Sequence, residues 1–99
     1  MTDRTVRLVE RLFDADDAVR VQRLLAEDCG TNLPFCDTLD AAGLERIRFA
    51  VLMLSAGDVD KLRAAIDRAS GDWRDVLVAA GFGYSLTAHE QWASDVLQA

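Results

Sequence analysis

One histidine and two cysteines are the whole stock of nitrogen and sulfur metal ligands in this chain. Six residues separate Cys29 from Cys36, wider than the two-to-four gap of a zinc knuckle, and no second pair accompanies them. The sequence therefore reads them as free thiols at the margin of a core, with a redox pair as the alternative if the chain folds back. His89-Glu90 opens like a zinc-protease helix, but the position four residues on is Ala93, so the second imidazole is missing. The histidine falls on the helical side of Trp92, Ala93 and Val96, which predicts a half-buried ring whose polar edge reaches a carbonyl or water.

Nucleophilic catalysis finds no better footing. Ser55, Ser70, Ser85 and Ser94 lie in no elbow motif, so no triad is indicated. Gly81-Phe82-Gly83 is a lone G-x-G after a helical pattern, without the third glycine and preceding strand of a dinucleotide loop. It reads as a turn between helices. No catalytic residue, metal ligand or cofactor is assigned, and none is expected.

The elements that must position these residues are short helices. Thr2, Asp14 or Asp16, Asp40, Asp58, Asp72 and Thr87 stand where helices should begin, ready to accept from unpaired backbone N–H groups. Gly30, Gly57, Gly71 and Gly81 follow helical patterns, where a left-handed residue is wanted. Thr87 and Glu90 have the spacing of a capping box. Apolar periodicity gives faces at Val6, Val9 and Phe13, at Ala18, Val21, Leu24 and Leu25, at Val59, Leu62, Ile66 and Ala69, at Trp73, Val76, Leu77 and Ala80, and from Trp92 to Leu97.

Between them, residues 41–56 are apolar nearly all round, as expected of a helix enclosed by its neighbours. The fold predicted is all-α: a compact bundle of five or six short helices around a buried central helix, in a single domain over 1–99. The one long connection, Cys29 to Leu39, holds both cysteines and the sole proline. Leu33 and Phe35 are expected to plug the bundle's end.

The net charge of −6 excludes the commonest nucleic-acid readers, which need clustered Lys and Arg. A helix opening Asp72-Trp73-Arg74-Asp75 is a poor base reader for the same reason. Much of the acidity is accounted for by capping. The longest apolar run, Phe49 to Leu54, is far short of a membrane span, and no export signal is visible, so a cytoplasmic location is expected.

Asp72-Trp73-Arg74-Asp75 and its continuation to Phe82, with Ala88-His89, Trp92, Asn32-Leu33-Pro34 and Gly43 to Phe49, resembles short bacterial all-helical proteins of unknown function. The resemblance spans most of the chain. It implies a bacterial source and a stand-alone chain, and no activity or ligand.

Three functional readings remain open. The first is a protein-interaction module, an adaptor, inhibitor or self-associating protein such as a homodimer. It would use Trp73, Arg74, Phe82, Tyr84 and Trp92, residue types enriched at binding hot spots. The second is an acidic regulator competing with nucleic acid for a basic partner, which needs Asp14, Asp16, Asp17, Glu27 and Asp28 on one exposed face. The third is a small-ligand binder or enzyme using the 29–39 loop with Asp37, Asp40 or His89. The first is favoured, with neither nucleic acid nor membrane as partner.

Overall fold

The computed structural model describes residues 1–34 and 39–99. Six helices follow in order: α1 (Asp3–Leu12), α2 (Ala15–Asp28), α3 (Ala41–Ser55), α4 (Val59–Gly71), α5 (Trp73–Ala79) and α6 (Ala88–Gln98). No strand occurs among the described residues, so the all-α bundle expected from periodicity is the fold.

Helix α3 is the axis. Ile47, Phe49, Ala50, Val51, Leu52 and Ser55 are buried on it, and α1, α4, α5 and α6 all pack against it. A helix contacted from so many sides has little use for a polar face, which is why its sequence shows almost none. Helix α2 closes the bundle against α1 and α4, burying Ala18, Val21 and Leu25.

Local chemistry fixes most helix starts as the sequence implies. Thr2, Asp14, Asp40, Asp58 and Asp72 each cap a helix, their side-chain oxygens accepting from Thr5, Asp17, Gly43, Lys61 and Arg74 N–H groups. These bonds satisfy donors that the helix itself cannot.

Three local expectations are corrected. Thr87 makes no side-chain cap on α6, so the Thr87–Glu90 capping box does not form. The Ser85 hydroxyl takes its place, accepting from the Thr87 and Ala88 N–H groups at 3.2 and 3.1 Å. Neither Gly30 nor Gly71 is left-handed; only Gly57 and Gly81 are, both at φ +82°, with Ala56 at φ +49° closing α3. At Gly71 the chain passes directly into extended Asp72, which ends α4 and caps α5. After α2 the Asn32 side chain does the closing, accepting from Gly30 N–H and donating to the Asp28 carbonyl. The third concerns His89: it is buried, 5 % exposed, rather than half-buried, and its Nδ1 makes no hydrogen bond within the chain.

Of the long connection, Leu33 is buried at the bundle's end as expected, while Phe35, Cys36 and Asp37 lie outside the described residues. No described helix is long and apolar enough to cross a membrane.

Candidate functional site

Polar and aromatic side chains meet where α1, α3 and α6 come together. Phe49 of α3 is its centre, with no exposed surface. The His89 ring of α6 lies 5.7 Å from it and the Trp92 ring 6.2 Å. Phe82, from the segment joining α5 to α6, packs 6.2 Å from His89 and 6.1 Å from Trp92. From the α1 side, the Arg4 guanidinium covers the Phe49 ring, its central carbon 5.4 Å from the ring centroid. Arrangements of this kind gain from both apolar burial and the ring quadrupoles.

The polar edge of this junction is only partly satisfied. Arg46 uses Nη2 to donate to the carbonyls of Phe82 and Ser85, the latter at 2.9 Å, while its Nε is shielded from solvent with no acceptor. Arg4 presents Nε and Nη2 in the same condition. The His89 Nδ1 is likewise shielded and unpartnered, and the residue is 5 % exposed. Burial holds the His89 imidazole below its ordinary pKa; the nearby Arg46 and Arg4 charges push the same way, and Glu90 and Glu45 oppose them. Glu45 itself accepts from the Thr2 hydroxyl at 2.5 Å.

The α5–α6 segment that borders the junction is pinned at three places. Phe82 N–H bonds the Leu77 carbonyl at 2.8 Å and Gly81 N–H the Val78 carbonyl at 3.0 Å, the paired bonds of a Schellman turn that needs the positive φ of Gly81. Arg46 then holds the Phe82 and Ser85 carbonyls, and the Ser85 hydroxyl caps α6. A Cβ on Gly83 would approach Val78 Cγ2 to 3.0 Å, so this part of the segment lies close upon α5. Tyr84 and Leu86 project outward from the pinned backbone, 95 % and 78 % exposed, and Val78 beside Gly83 is exposed as well.

The five residues singled out by type therefore divide. Phe82 is core, and Trp92 is half-buried in ring contact with it. Trp73 is half-buried at the start of α5, its indole N–H shielded and without an acceptor. Arg74 is on the surface, where its Nε and Nη2 take the two carboxylate oxygens of Asp72 at 2.9 and 3.0 Å. Those bonds hold the Asp72 carboxyl below its ordinary pKa. Tyr84 alone of the five stands almost wholly in solvent. Sequence reasoning passed over Arg4, Glu45, Arg46 and Leu86. Arg4 and Arg46 are interruptions of apolar helix faces, and that is the signal that would have flagged them.

The other candidate sites are less built. Cys29 is fully buried and burial pushes its thiol up to about 12, so it is neutral and shielded from reagents at ordinary pH. Asp40 is committed to the α3 cap. Asp14, Asp16 and Asp17 begin α2 and Glu27 and Asp28 end it, about 15 Å apart at 1.5 Å per residue, with exposed Arg20 and Arg23 between. Asp16 and Asp17 fall within about 20° of Glu27 and Asp28 around the helix, so one side of α2 carries acid at both ends and base between. The groove between α2 and α4, about 420 Å³, is lined by Leu24, Asp28, Asn32, Arg63, Asp67 and Ser70 among others, and is open to solvent. Among the described residues no three His, Cys, Asp or Glu side chains gather as metal ligands would.

No family model, curated protein or solved structure matches this chain.

Proposed function

We propose that this chain is a small protein-interaction module whose contact surface is the turn from Gly81 to Thr87 with the adjoining end of α5. The observation that carries the reading is the exposure of Tyr84 and Leu86 on a backbone that is itself held fast. Single exposed apolar residues are ordinary on any protein. Here Tyr84 and Leu86 sit two apart, with Val78 next to the same turn, and folding gains nothing from leaving them in water. A tyrosine offered on a pre-ordered turn loses little conformational freedom on binding, which is the economical way to build a hot spot.

In this reading Phe82, Trp92 and Arg46 are the scaffold of the surface, and Tyr84, Leu86 and Val78 are the surface itself. The partner is a protein, of the cytoplasm of a bacterium, or a second copy of the chain. The division of the acidic residues between the two ends of α2 makes competition with nucleic acid the weaker alternative.

The test is affinity capture from a bacterial lysate with the wild type and with Tyr84→Ser combined with Leu86→Ser, accompanied by light scattering. Both side chains are exposed, so the double variant should unfold at the wild-type temperature. A stoichiometric partner, or a dimer, that the wild type forms and the folded double variant does not form supports the reading. Equal capture by both proteins, or a monomer that captures nothing, overturns it.

A further inference from the structure

The side-on edge of a guanidinium, formed by Nε and Nη2, carries two parallel N–H groups that match the two oxygens of a carboxylate. Arg74 shows this chain using the edge in that way, one oxygen of Asp72 on each nitrogen. On Arg4 the same two nitrogens are shielded from water and have no acceptor. Among the described residues no carboxylate is within ion-pairing distance of Arg4. The face of Arg4 is used, against Phe49, and its edge is not. Covering an aromatic ring does not call for that edge, since a lysine stem or a methionine would cover it without leaving shielded donors unpaired. Unpaired donors on a charged group are costly to bury, more so than neutral ones.

Two further shielded, unpaired nitrogens belong to the same junction. Arg46 Nε is shielded and unpaired, and the His89 imidazole, whose Nδ1 is unpaired, packs on the same Phe49 ring that Arg4 covers. Glu45 and Glu90 are the acidic groups that also act on His89, from α3 and α6; α1 contributes Arg4. These two carboxylates offset the charge of the two guanidiniums, which favours one added negative charge over two. A planar, singly charged group with two oxygens meets both demands.

We propose that the α1–α3–α6 junction is a binding site for a small carboxylate, gripped bidentately by the Nε–Nη2 edge of Arg4 and neighboured by Arg46 and His89. Arg4 is half-buried as a residue and its edge is shielded, so a ligand reaches that edge only by displacing the side chains that cover it. The ligand is of the acetate class, and its affinity is weak, on the order of 1 mM, because few atoms are available for contact. The site shares Arg46 with the scaffold of the Tyr84–Leu86 surface, but its Arg4 edge does not touch that turn, so the two readings are tested separately.

The chain's single histidine makes the test direct, since one imidazole Cε1–H resonance reports the junction without assignment. Sodium acetate is titrated against sodium chloride at constant ionic strength, near pH 7, while that resonance and the arginine Nε–H signals are followed. The expected result is a saturable shift of one arginine Nε–H signal, together with an upward move of the histidine titration midpoint. A carboxylate beside His89 stabilises its charged form, which fixes that sign. Arg4→Lys keeps the charge and removes the two-donor edge, and should weaken binding by about tenfold or more.

The proposal is overturned if the wild type gives no saturable shift, a result that does not depend on any variant folding. It is also overturned if folded Arg4→Lys binds acetate as the wild type does. Inorganic phosphate, run as a third arm, should bind more weakly than acetate; tighter binding of phosphate overturns the assignment of a singly charged carboxylate.

Discussion

Arg74 at the α4–α5 corner and Arg4 at the α1–α3–α6 junction carry the same donor edge and meet opposite surroundings. Arg74 is on the surface, two residues from the carboxylate it grips, and that carboxylate also caps α5. Its position follows from a few consecutive residues, and water covers any imperfection. Arg4 is brought to Phe49 from 45 positions away in the chain, and its edge is removed from water with nothing to hold. The charge at the corner serves the end of a helix, since Asp72 caps α5 and Arg74 grips Asp72. The Nε–Nη2 edge of Arg4 serves no helix end, so it is the part that asks for another reason.

The comparison can be broken most severely at Phe49. Truncation by Phe49→Ala removes the ring on which Arg4, His89 and Trp92 converge, and should cost about 3–5 kcal/mol in urea denaturation. A loss below about 1 kcal/mol would mean that the junction is not the structural centre described above.

Next is Arg46→Met, which releases the Phe82 and Ser85 carbonyls. A cost of about 2 kcal/mol is expected, less than the two charge-assisted bonds because a shielded unpaired Nε is also removed. Amide exchange should accelerate in residues 81–88 more than in α4. Uniform acceleration would separate Arg46 from the turn it is said to hold.

The junction should also respond to acid at a milder pH than the corner. His89 has a folded pKa below its unfolded value of 6.5, so the unfolded chain binds the proton first. Stability on this account is whole above that value and declines as pH falls below it, until the folded protein also takes up the proton. His89→Phe should flatten that decline in urea midpoints measured between about pH 7 and 5. An unchanged decline would place its origin elsewhere. Asp72, held low by Arg74, contributes only at more acid pH, its stabilisation being lost as pH falls through its depressed folded pKa.

The smallest effect belongs to Arg74→Ala. An exposed pair between neighbours in sequence should leave the thermal midpoint close to that of the wild type. A large drop would erase the contrast drawn between the two arginines.

Legibility in the sequence follows the same division. The caps at Asp14, Asp40, Asp58 and Asp72 were readable because donor and acceptor lie within three residues of each other. The central helix was readable because Phe49 to Leu54 leaves no polar side. Nothing in the local sequence favours Ser85 over Thr87, since both are hydroxyl residues near the same helix start and Arg46, nearly forty residues away, holds the Ser85 carbonyl. Gly71 misled because an aspartate that caps the following helix can end the preceding one without a left-handed residue. His89 was placed on the correct helical side, but its depth depends on Phe49 and Phe82 arriving from two other segments. Arg4 and Arg46 were passed over for the same reason: each is one charge on its own helix, and they share a junction only after folding.

A single nitrogen, Nη2 of Arg46, takes both the Phe82 and the Ser85 carbonyl, so the four residues from 82 to 85 are closed into a small ring by a bond from another helix. Such a ring has a fixed circumference. Inserting a residue at Gly83 or Tyr84 should open it, whereas exchanging the side chain at 84 should leave it intact, because that position faces solvent. The turn is thus a frame with one replaceable display position. Sequence change there should leave the fold untouched.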